Sequence, residues 1–345
     1  MALDSLSMRE AVTGLPLQME TALDNVTRSD MGMLRSYSGI SNVVVAGMGG
    51  SGIIGDVLSA VVTGNCPVPV SVCKSYDPPA YVDDHTFFIA LSFSGNTEET
   101  VEAMKSAYRR GAKIMAVSGG GTIAEMAADW GIPWFRVDNA IPQPRAAIGA
   151  LFVPPYVAMD TAGLVPDAIS SLKDAIEQLK RRAAQANEPG GIAMVSSAAK
   201  LVAGHIPLIW GSAGLGMVAA SRLRTQINEN AKAIAMSSTV PESCHNELAG
   251  WGQLGDVTRQ LVAVVAMRDV GESEAMIRRY DFLREVVSES VSGIIELYAE
   301  GNTATARMFD LIFLGDLISL EVARIEQIDP GPVPVLDKMK RYLRE

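Results

Sequence analysis

The stretch Val43-Val44-Val45-Ala46-Gly47-Met48-Gly49-Gly50-Ser51-Gly52-Ile53-Ile54-Gly55 decides the fold. Three β-branched residues followed by alanine suit a strand buried on both faces. The glycines behind them allow a tight turn with close backbone approach, and Ile53-Ile54 begins a helix. The first N–H groups of a helix have no intrahelical acceptor and sit at the positive end of its dipole, so this arrangement is an anion site in outline. The same letters also satisfy G-x-G-x-x-G. Two ligands therefore compete, the pyrophosphate of a dinucleotide and the phosphate of a small sugar.

On either side of this stretch, strand, loop and helix patterns alternate. Strands are expected at residues 69–74, 87–91 and 113–117, and helices at 53–63, after the polar turn at 92–97, and from Thr122. Alternation of this kind predicts a parallel sheet with helices on both faces, whose ligands lie at the carboxyl ends of the strands. Leu15, Met19, Leu23 and Val26, spaced by three and four, predict an amphipathic helix within an N-terminal arm of residues 1–40. Pro142-Gln143-Pro144-Arg145 breaks the pattern before an apolar helix at 146–160. A boundary at 163–167 follows, then a polar helix at 168–187 whose Lys180-Arg181-Arg182 run reads as a solvated face.

The second half restarts the plan. Pro207-Leu208-Ile209-Trp210-Gly211-Ser212-Ala213-Gly214-Leu215-Gly216 is again an apolar strand entering a glycine turn, with helix-forming sequence to Ile234. Strands at 261–267 and 293–298 and helices at 272–288 and 303–325 follow. The fold class expected is α/β, a tandem pair of doubly wound parallel-sheet subdomains at 41–165 and 166–345. The second copy has no counterpart of Ser92 to Thr97 after its 261–267 strand and is expected to bind no phosphate of its own.

Composition narrows the class of function. The 345 residues are 48% apolar and 20% charged, which suits a globular chain with a large core. Three cysteines, Cys66, Cys73 and Cys244, show no metal-like spacing and no disulfide framework, so a reducing cytoplasm is expected. The start shows no basic region leading into an apolar core, and no apolar run approaches the ~20 residues of a membrane helix, so neither a signal peptide nor a membrane partner is expected. A net charge of −10 argues against nucleic acid as a partner. It leaves open one small phosphorylated ligand held by local donors.

A dinucleotide needs an acidic residue at the end of the second strand for the ribose hydroxyls, and Lys74-Ser75-Tyr76-Asp77 offers only Asp77, too far along and ahead of Pro78-Pro79. Ser92-Phe93-Ser94-Gly95-Asn96-Thr97 instead puts three hydroxyls between a strand and a helix. Hydrogen bonds to a charged acceptor contribute roughly 1.5–3 kcal/mol each, enough for three or four to hold a phosphate. For a single hydroxyl the simpler reading is a helix cap, with Glu98-Glu99 favouring the dipole. Three in six residues, opposite a glycine turn, favour phosphate.

These two motifs together resemble the sugar isomerase (SIS) domain. Pro144-Arg145-Ala146-Ala147, Asn228-Glu229-Asn230-Ala231-Lys232, Pro241-Glu242-Ser243-Cys244-His245-Asn246 and Leu336-Asp337-Lys338-Met339-Lys340-Arg341 are in addition similar to segments of the bifunctional phosphoglucose/phosphomannose isomerase family. The resemblance runs from about residue 40 to the end. It implies two tandem SIS-type, flavodoxin-like subdomains and an isomerase that interconverts glucose 6-phosphate, and mannose 6-phosphate, with fructose 6-phosphate through a cis-enediolate. It further implies a homodimer with shared active sites and neither metal nor cofactor. Carried over by position, Gly49, Gly50, Ser51, Ser92, Ser94 and Thr97 would hold the phosphate, and Glu229 would move the proton between C1 and C2. His245 would assist ring opening from the neighbouring subunit, Lys340 would contact the ring-oxygen side, and Arg145 would stabilise the enediolate. Two positions depart from the family's usual pattern. Val333-Pro334 stands where many members have Thr-Pro, and Cys244 where relatives often have a second histidine.

The residues themselves partly support these roles. Ala220, Leu223, Ile227, Ala231 and Ile234 form an apolar helical stripe, and Glu229 falls about 200° from Ile227, on the opposite, solvated face. To act as a base it needs cover from another element or subunit; alone it is an exposed glutamate within reach of Lys232. His245 lies in a polar, loop-like run that suits a titrating group as well as a structural one, whereas His85 and His205 sit beside strands and read as structural. Lys340, four residues after Leu336, reads alone as a snorkelling lysine. Arg145, at a helix start, is badly placed for the dipole and wants an anionic partner. A sensor that binds sugar phosphates without catalysis is the alternative. A regulator of that kind would bring a DNA-binding helix-turn-helix, and the first 40 residues are too short and too acidic for one.

Overall fold

The computed structural model describes residues 3–342, and the chain divides into two compact units. One consists of Gly14–Ala183 and Glu300–Asp310, the other of Met1–Thr13, Ala184–Ala299 and Leu311–Glu345.

In the Gly14–Ala183 unit five parallel strands, β1 (Asn42–Ala46), β2 (Val70–Cys73), β3 (Thr86–Ser92), β4 (Lys113–Ser118) and β5 (Trp134–Arg136), stand in the order β2-β1-β3-β4-β5. The chain order reverses between β1 and β3, which makes their carboxyl ends the switch point of a flavodoxin-like sheet. Val45 pairs with Ile89 and Ala46 with Ala90, so the turn after β1 and the turn after β3 begin side by side. Val43 to Ala46 and Phe87 to Leu91 are buried without interruption, as a sheet covered on both faces requires. The Leu15–Arg28 helix buries Leu15, Met19, Leu23 and Val26, the stripe that its spacing predicts. It lies against the apolar Ile148–Thr161 helix at Gly149, where a Cβ would come within 2.7 Å of Met19 Cγ. β5 is not foreseeable from pattern, because its three residues alternate between exposed and buried in too short a run to show a period.

The Ala168–Asn187 helix follows expectation, but its basic run does not. Lys180 is exposed and paired with Glu20, and Arg181 is exposed, whereas Arg182 is 4% exposed. Arg182 lies one helical turn beyond the buried Gln178, and its Nε and Nη2 donate to the Asp310 carboxylate at 2.8 and 3.0 Å. Burial opposes the Arg182 charge, yet Asp310 and Glu300 outweigh it and hold the guanidinium above its ordinary pKa. Gln178 Nε2 and Glu300 N–H complete the shell around Asp310, each at 2.8 Å. The partner stands 128 residues away in sequence, so no local signal betrays the pair.

In the other unit β6 (Ile206–Ser212), β7 (Met236–Val240), β8 (Val262–Arg268) and β9 (Gly293–Tyr298) form a parallel sheet in the order β7-β6-β8-β9. This repeats the order of β1 to β4, so the tandem plan is real. Helical structure after β6 does not reach Ile234: the Leu215–Gln226 α-helix passes into a π-helical turn at Ile227–Ala231, and Lys232, at φ +54°, ends it. Ile234 is therefore exposed, and the polar edge strand β7 follows.

Replacing Asp310 with alanine takes away the buried carboxylate of Arg182 and leaves the more exposed Glu300 as a carboxylate partner. Urea unfolding of Asp310→Ala is expected to show a loss of about 3–5 kcal/mol, while Lys180→Ala, which removes an exposed pair, should change stability by under ~1 kcal/mol.

Candidate active site

Three turns of the Gly14–Ala183 unit meet at the switch point. The first follows β1, where Met48 is extended, Gly49 takes φ +52° and the Gly49–Val62 helix begins. It closes tightly: a Cβ on Gly52 would lie 2.7 Å from Gly47 O, and one on Gly47 would lie 3.0 Å from Leu91 O of β3. The second turn is Ser92 to Thr97. Ser51 Oγ accepts Phe93 N–H at 3.1 Å and so stitches the two turns together. The third is the 3-10 turn Pro144–Ala146, whose Arg145 N and Pro144 C would stand 2.9 Å from a Cβ on Gly50. The glycine turn is thus the floor on which the other two rest.

Within the second turn Ser92 is fully buried; its hydroxyl shares a hydrogen bond with Thr97 Oγ1 at 2.8 Å and accepts Gly95 N–H at 3.1 Å. Ser94 is exposed and accepts Asn96 N–H at 3.2 Å. Thr97 occupies the N-cap of the Glu98–Arg109 helix but makes no capping bond, because its hydroxyl is turned toward Ser92. Capping therefore does not account for Thr97. Asn96 Oδ1 takes the N–H and hydroxyl of Thr122 at 3.0 and 3.1 Å, and a Cβ on Gly95 would collide with Gly120 O at 1.7 Å. The loop is fixed from behind, with the N–H groups of two helix starts and several hydroxyls already arranged for an anion.

Arg145 is 3% exposed, with Nη1 3.3 Å from Gln143 Oε1. Its turn is held by Gln18, whose amide donates to Ala146 O at 2.9 Å and accepts Ala150 N–H at 3.0 Å. Gln18 is a contributor that sequence reading missed. It lies within the N-terminal amphipathic helix, 128 residues from Ala146, and nothing in its local pattern marks it.

The proton-transfer candidates belong to the other unit. Glu229 sits in the π-helical turn, and the expectation of a fully solvated face is corrected there: Glu229 is half-buried. A π turn is wider than an α turn, so a position counted at 100° per residue is rotated. His245 ends the 3-10 turn Glu242–His245 and is exposed. Cys244 packs its side chain against the Leu208, Trp210 and Val264 core, and burial raises its thiol pKa. The inward cysteine seats the loop while His245 faces out. Lys340 belongs to the Pro334–Tyr342 helix, and its side chain lies outside the described residues. The structure thus gathers Gly49, Gly50, Ser51, Ser92, Ser94, Thr97 and Arg145 at one switch point and sets Glu229 and His245 on separate elements of the second unit.

The switch point of the second sheet is built differently. Glu272 places its carboxylate there, accepting the Ser212 hydroxyl, Asp269 N–H at 3.1 Å and Arg268 Nε at 2.8 Å. Arg268 also meets Glu296 at 2.9 Å and lies 3.8 Å over the Tyr280 ring. Burial works against the Arg268 charge, but Glu272 and Glu296 outweigh it and hold the guanidinium above its ordinary pKa. The chain supplies its own anion at this position. Among the described residues one group has metal-ligand spacing, Asp83, Asp84 and His85; all three are exposed and precede β3, at the end away from the turns.

A doubly wound sheet repeated in tandem, with a glycine turn and a hydroxyl loop at the switch point of the first copy, defines a SIS-domain protein. Residues 36–132 match the SIS domain model, and residues 195–343 match the model for the bacterial phospho-glucose isomerase C-terminal SIS domain. A bifunctional phosphoglucose/phosphomannose isomerase of Caldicellulosiruptor bescii is 34% identical over 98% of this chain and 99% of its own length. One from Thermoplasma acidophilum is 33% identical over 88% and 90% respectively. The chain belongs to the bifunctional phosphoglucose/phosphomannose isomerase family. Among solved structures, the C-terminal domain of a Francisella tularensis glucosamine-fructose-6-phosphate aminotransferase superposes with a TM-score of 0.69 at 15% identity, covering 94% of this chain and 96% of that one, which supports the fold alone.

Because Gly50 touches the backbone of Pro144 and Arg145, Gly50→Ala is expected to displace the Arg145 turn. Titration of inorganic phosphate, followed by thermal shift, should show protection falling at least about tenfold in apparent affinity, a loss of the kind expected when charge-assisted contacts are broken. Gly64→Ala, at a glycine with open space around it, should bind as the parent does.

Proposed function

We propose that this chain, an isomerase by family, interconverts glucose 6-phosphate and mannose 6-phosphate with fructose 6-phosphate. The observation that carries the reading is the stitched pair of turns, in which the Ser51 hydroxyl joins the glycine turn to the Ser92 to Thr97 loop at the β1/β3 switch point. Such a site suits a compact dianion.

In this scheme Gly49, Gly50, Ser51, Ser92, Ser94 and Thr97 take the phosphate. His245 and Lys340 assist ring opening, and Glu229 removes the proton from C2 of the open aldose. The electron pair left behind forms the C1–C2 double bond of a cis-enediolate, whose negative oxygen faces Arg145. The O2 proton passes to O1, and Glu229 then returns its proton to C1 as the C2 carbonyl forms, which yields the ketose. A carboxylate serves because it is ionised at neutral pH and holds a proton only in passing, and a guanidinium serves because it keeps its charge throughout. The exposed His245, and the exposed apolar side chains of Val335, Leu336, Met339 and Tyr342 on the last helix, support a homodimer in which His245 completes the neighbour's site. Val333 offers no hydroxyl to the sugar, so mannose 6-phosphate is the substrate on which this chain would differ from relatives with threonine. Three unpaired cysteines suit work in a reducing cytoplasm.

Glu229→Gln should keep sugar-phosphate binding and lose at least ~10²-fold of turnover on glucose 6-phosphate in a coupled assay. Turnover at the parent rate would remove Glu229 from the chemistry. Mixing Glu229→Gln with His245→Ala, each inactive alone, should restore partial activity through hybrid dimers. Persistent inactivity of the mixture would mean that each site is built from one chain.

A further inference from the structure

The turn that carries Glu229 is held by a buried polar ladder. Arg222-Leu223, Gln226-Ile227 and Asn230-Ala231 are all buried and recur every four residues. In a continuous α-helix a repeat of four drifts by about 40° per step, so the last pair would leave the buried face. The π-helical turn absorbs that drift and keeps Asn230 and Ala231 inside, with Glu229 emerging half-buried beside them.

Asn230 is fully buried, and its Nδ2 donates to Ser319 Oγ at 2.8 Å. Ser319 Oγ in turn donates to Asp316 O at 2.7 Å. The Asp316 carboxylate receives Arg222 Nε at 3.0 Å and Nη2 at 2.7 Å, and both of these residues are buried too. The far side of the turn is also tied. Asn228 Nδ2 donates to Ala233 O at 2.8 Å, and Lys232 Nζ donates to Asp329 O at 2.6 Å and Asn230 O at 3.3 Å. Apolar residues of similar volume would pack at these places without the desolvation cost, so the polar ladder contributes a direction more than a stabilisation.

We propose that Asn230 and Ser319 are positioning residues for the isomerisation, their hydrogen bond holding the π-helical turn in the register that aims the Glu229 carboxylate. Neither touches substrate; they act through Glu229, and the proposal rests on its reading as the base. Loosening the turn costs turnover and leaves substrate affinity in place, because the phosphate is held elsewhere.

Ser319→Ala removes the acceptor and Ser319→Thr retains it. With purified protein and glucose 6-phosphate, Ser319→Ala should lower kcat about tenfold or more, keep KM within about twofold and displace the acid limb of the kcat pH profile, whereas Ser319→Thr stays near the parent. Val287→Ala, a truncation elsewhere in the core of the same sheet, controls for lost stability and should leave kcat and its pH profile in place. Should Ser319→Ala not yield folded protein, Asn230→Ser, which breaks the same bond from the other end, is measured in its place. A parent kcat and pH profile in these variants, with Glu229→Gln inactive, overturns the positioning role alone. So does a kcat loss that Val287→Ala reproduces. Parent turnover in Glu229→Gln overturns the base assignment instead.

Discussion

Where the chain order of the first sheet reverses, β1 and β3 deliver their turns to one place, and the Ser51 hydroxyl accepting Phe93 N–H joins them. Much else follows from that contact. The glycine turn must be thin, because Gly47 faces Leu91 O and Gly50 faces the backbone of Pro144 and Arg145. The hydroxyl loop must be stiff, and it is backed by Gly120 and Thr122. Turns braced in this way hold their backbone N–H groups and hydroxyls in fixed directions.

The parts of this plan that repeat along the chain were legible in sequence. Strands buried on both faces appear as continuous apolar runs, and the Leu15–Arg28 stripe appears through its spacing. The turn of Ser92 to Thr97 between β3 and the following helix is readable because its hydroxyls are contiguous in sequence. Elements without a period were not: β5 is three residues long, and β7 is a polar edge strand. Glu229 reads from sequence as exposed and is half-buried, because counting at 100° per residue presumes an α-helix, and Asn230 beside it bonds to Ser319, 89 residues away. Gln18 escaped notice for the same reason, its two bonds spanning 128 and 132 residues.

Two of three buried arginine pairs share that illegibility, those of Arg182 and Arg222, whose partners stand 128 and 94 residues away. Arg182 with Asp310, Arg222 with Asp316, and Arg268 with Glu272 are buried ion pairs, each made of residues that composition assigns to the surface. Pairs of this sort add little net stability over apolar substitutes, but they tolerate few arrangements. The pairs of Arg182 and Arg222 each join one helix to another in a geometry that sliding or rotation would break, which fixes helix rotation where apolar contacts alone would permit several settings.

The carboxylate of Glu272 makes the two switch points of the chain unlike. Two sheets of the same strand order offer two switch points, but at the second one the hydroxyl of Ser212 and the guanidinium of Arg268 are already engaged by a side chain of the chain itself. At this place the chain satisfies its own donors through a carboxylate four residues from Arg268. The same sheet leads from β6 through the Leu215–Gln226 helix into the π-helical turn, so the two copies of one strand order carry different groups at corresponding positions.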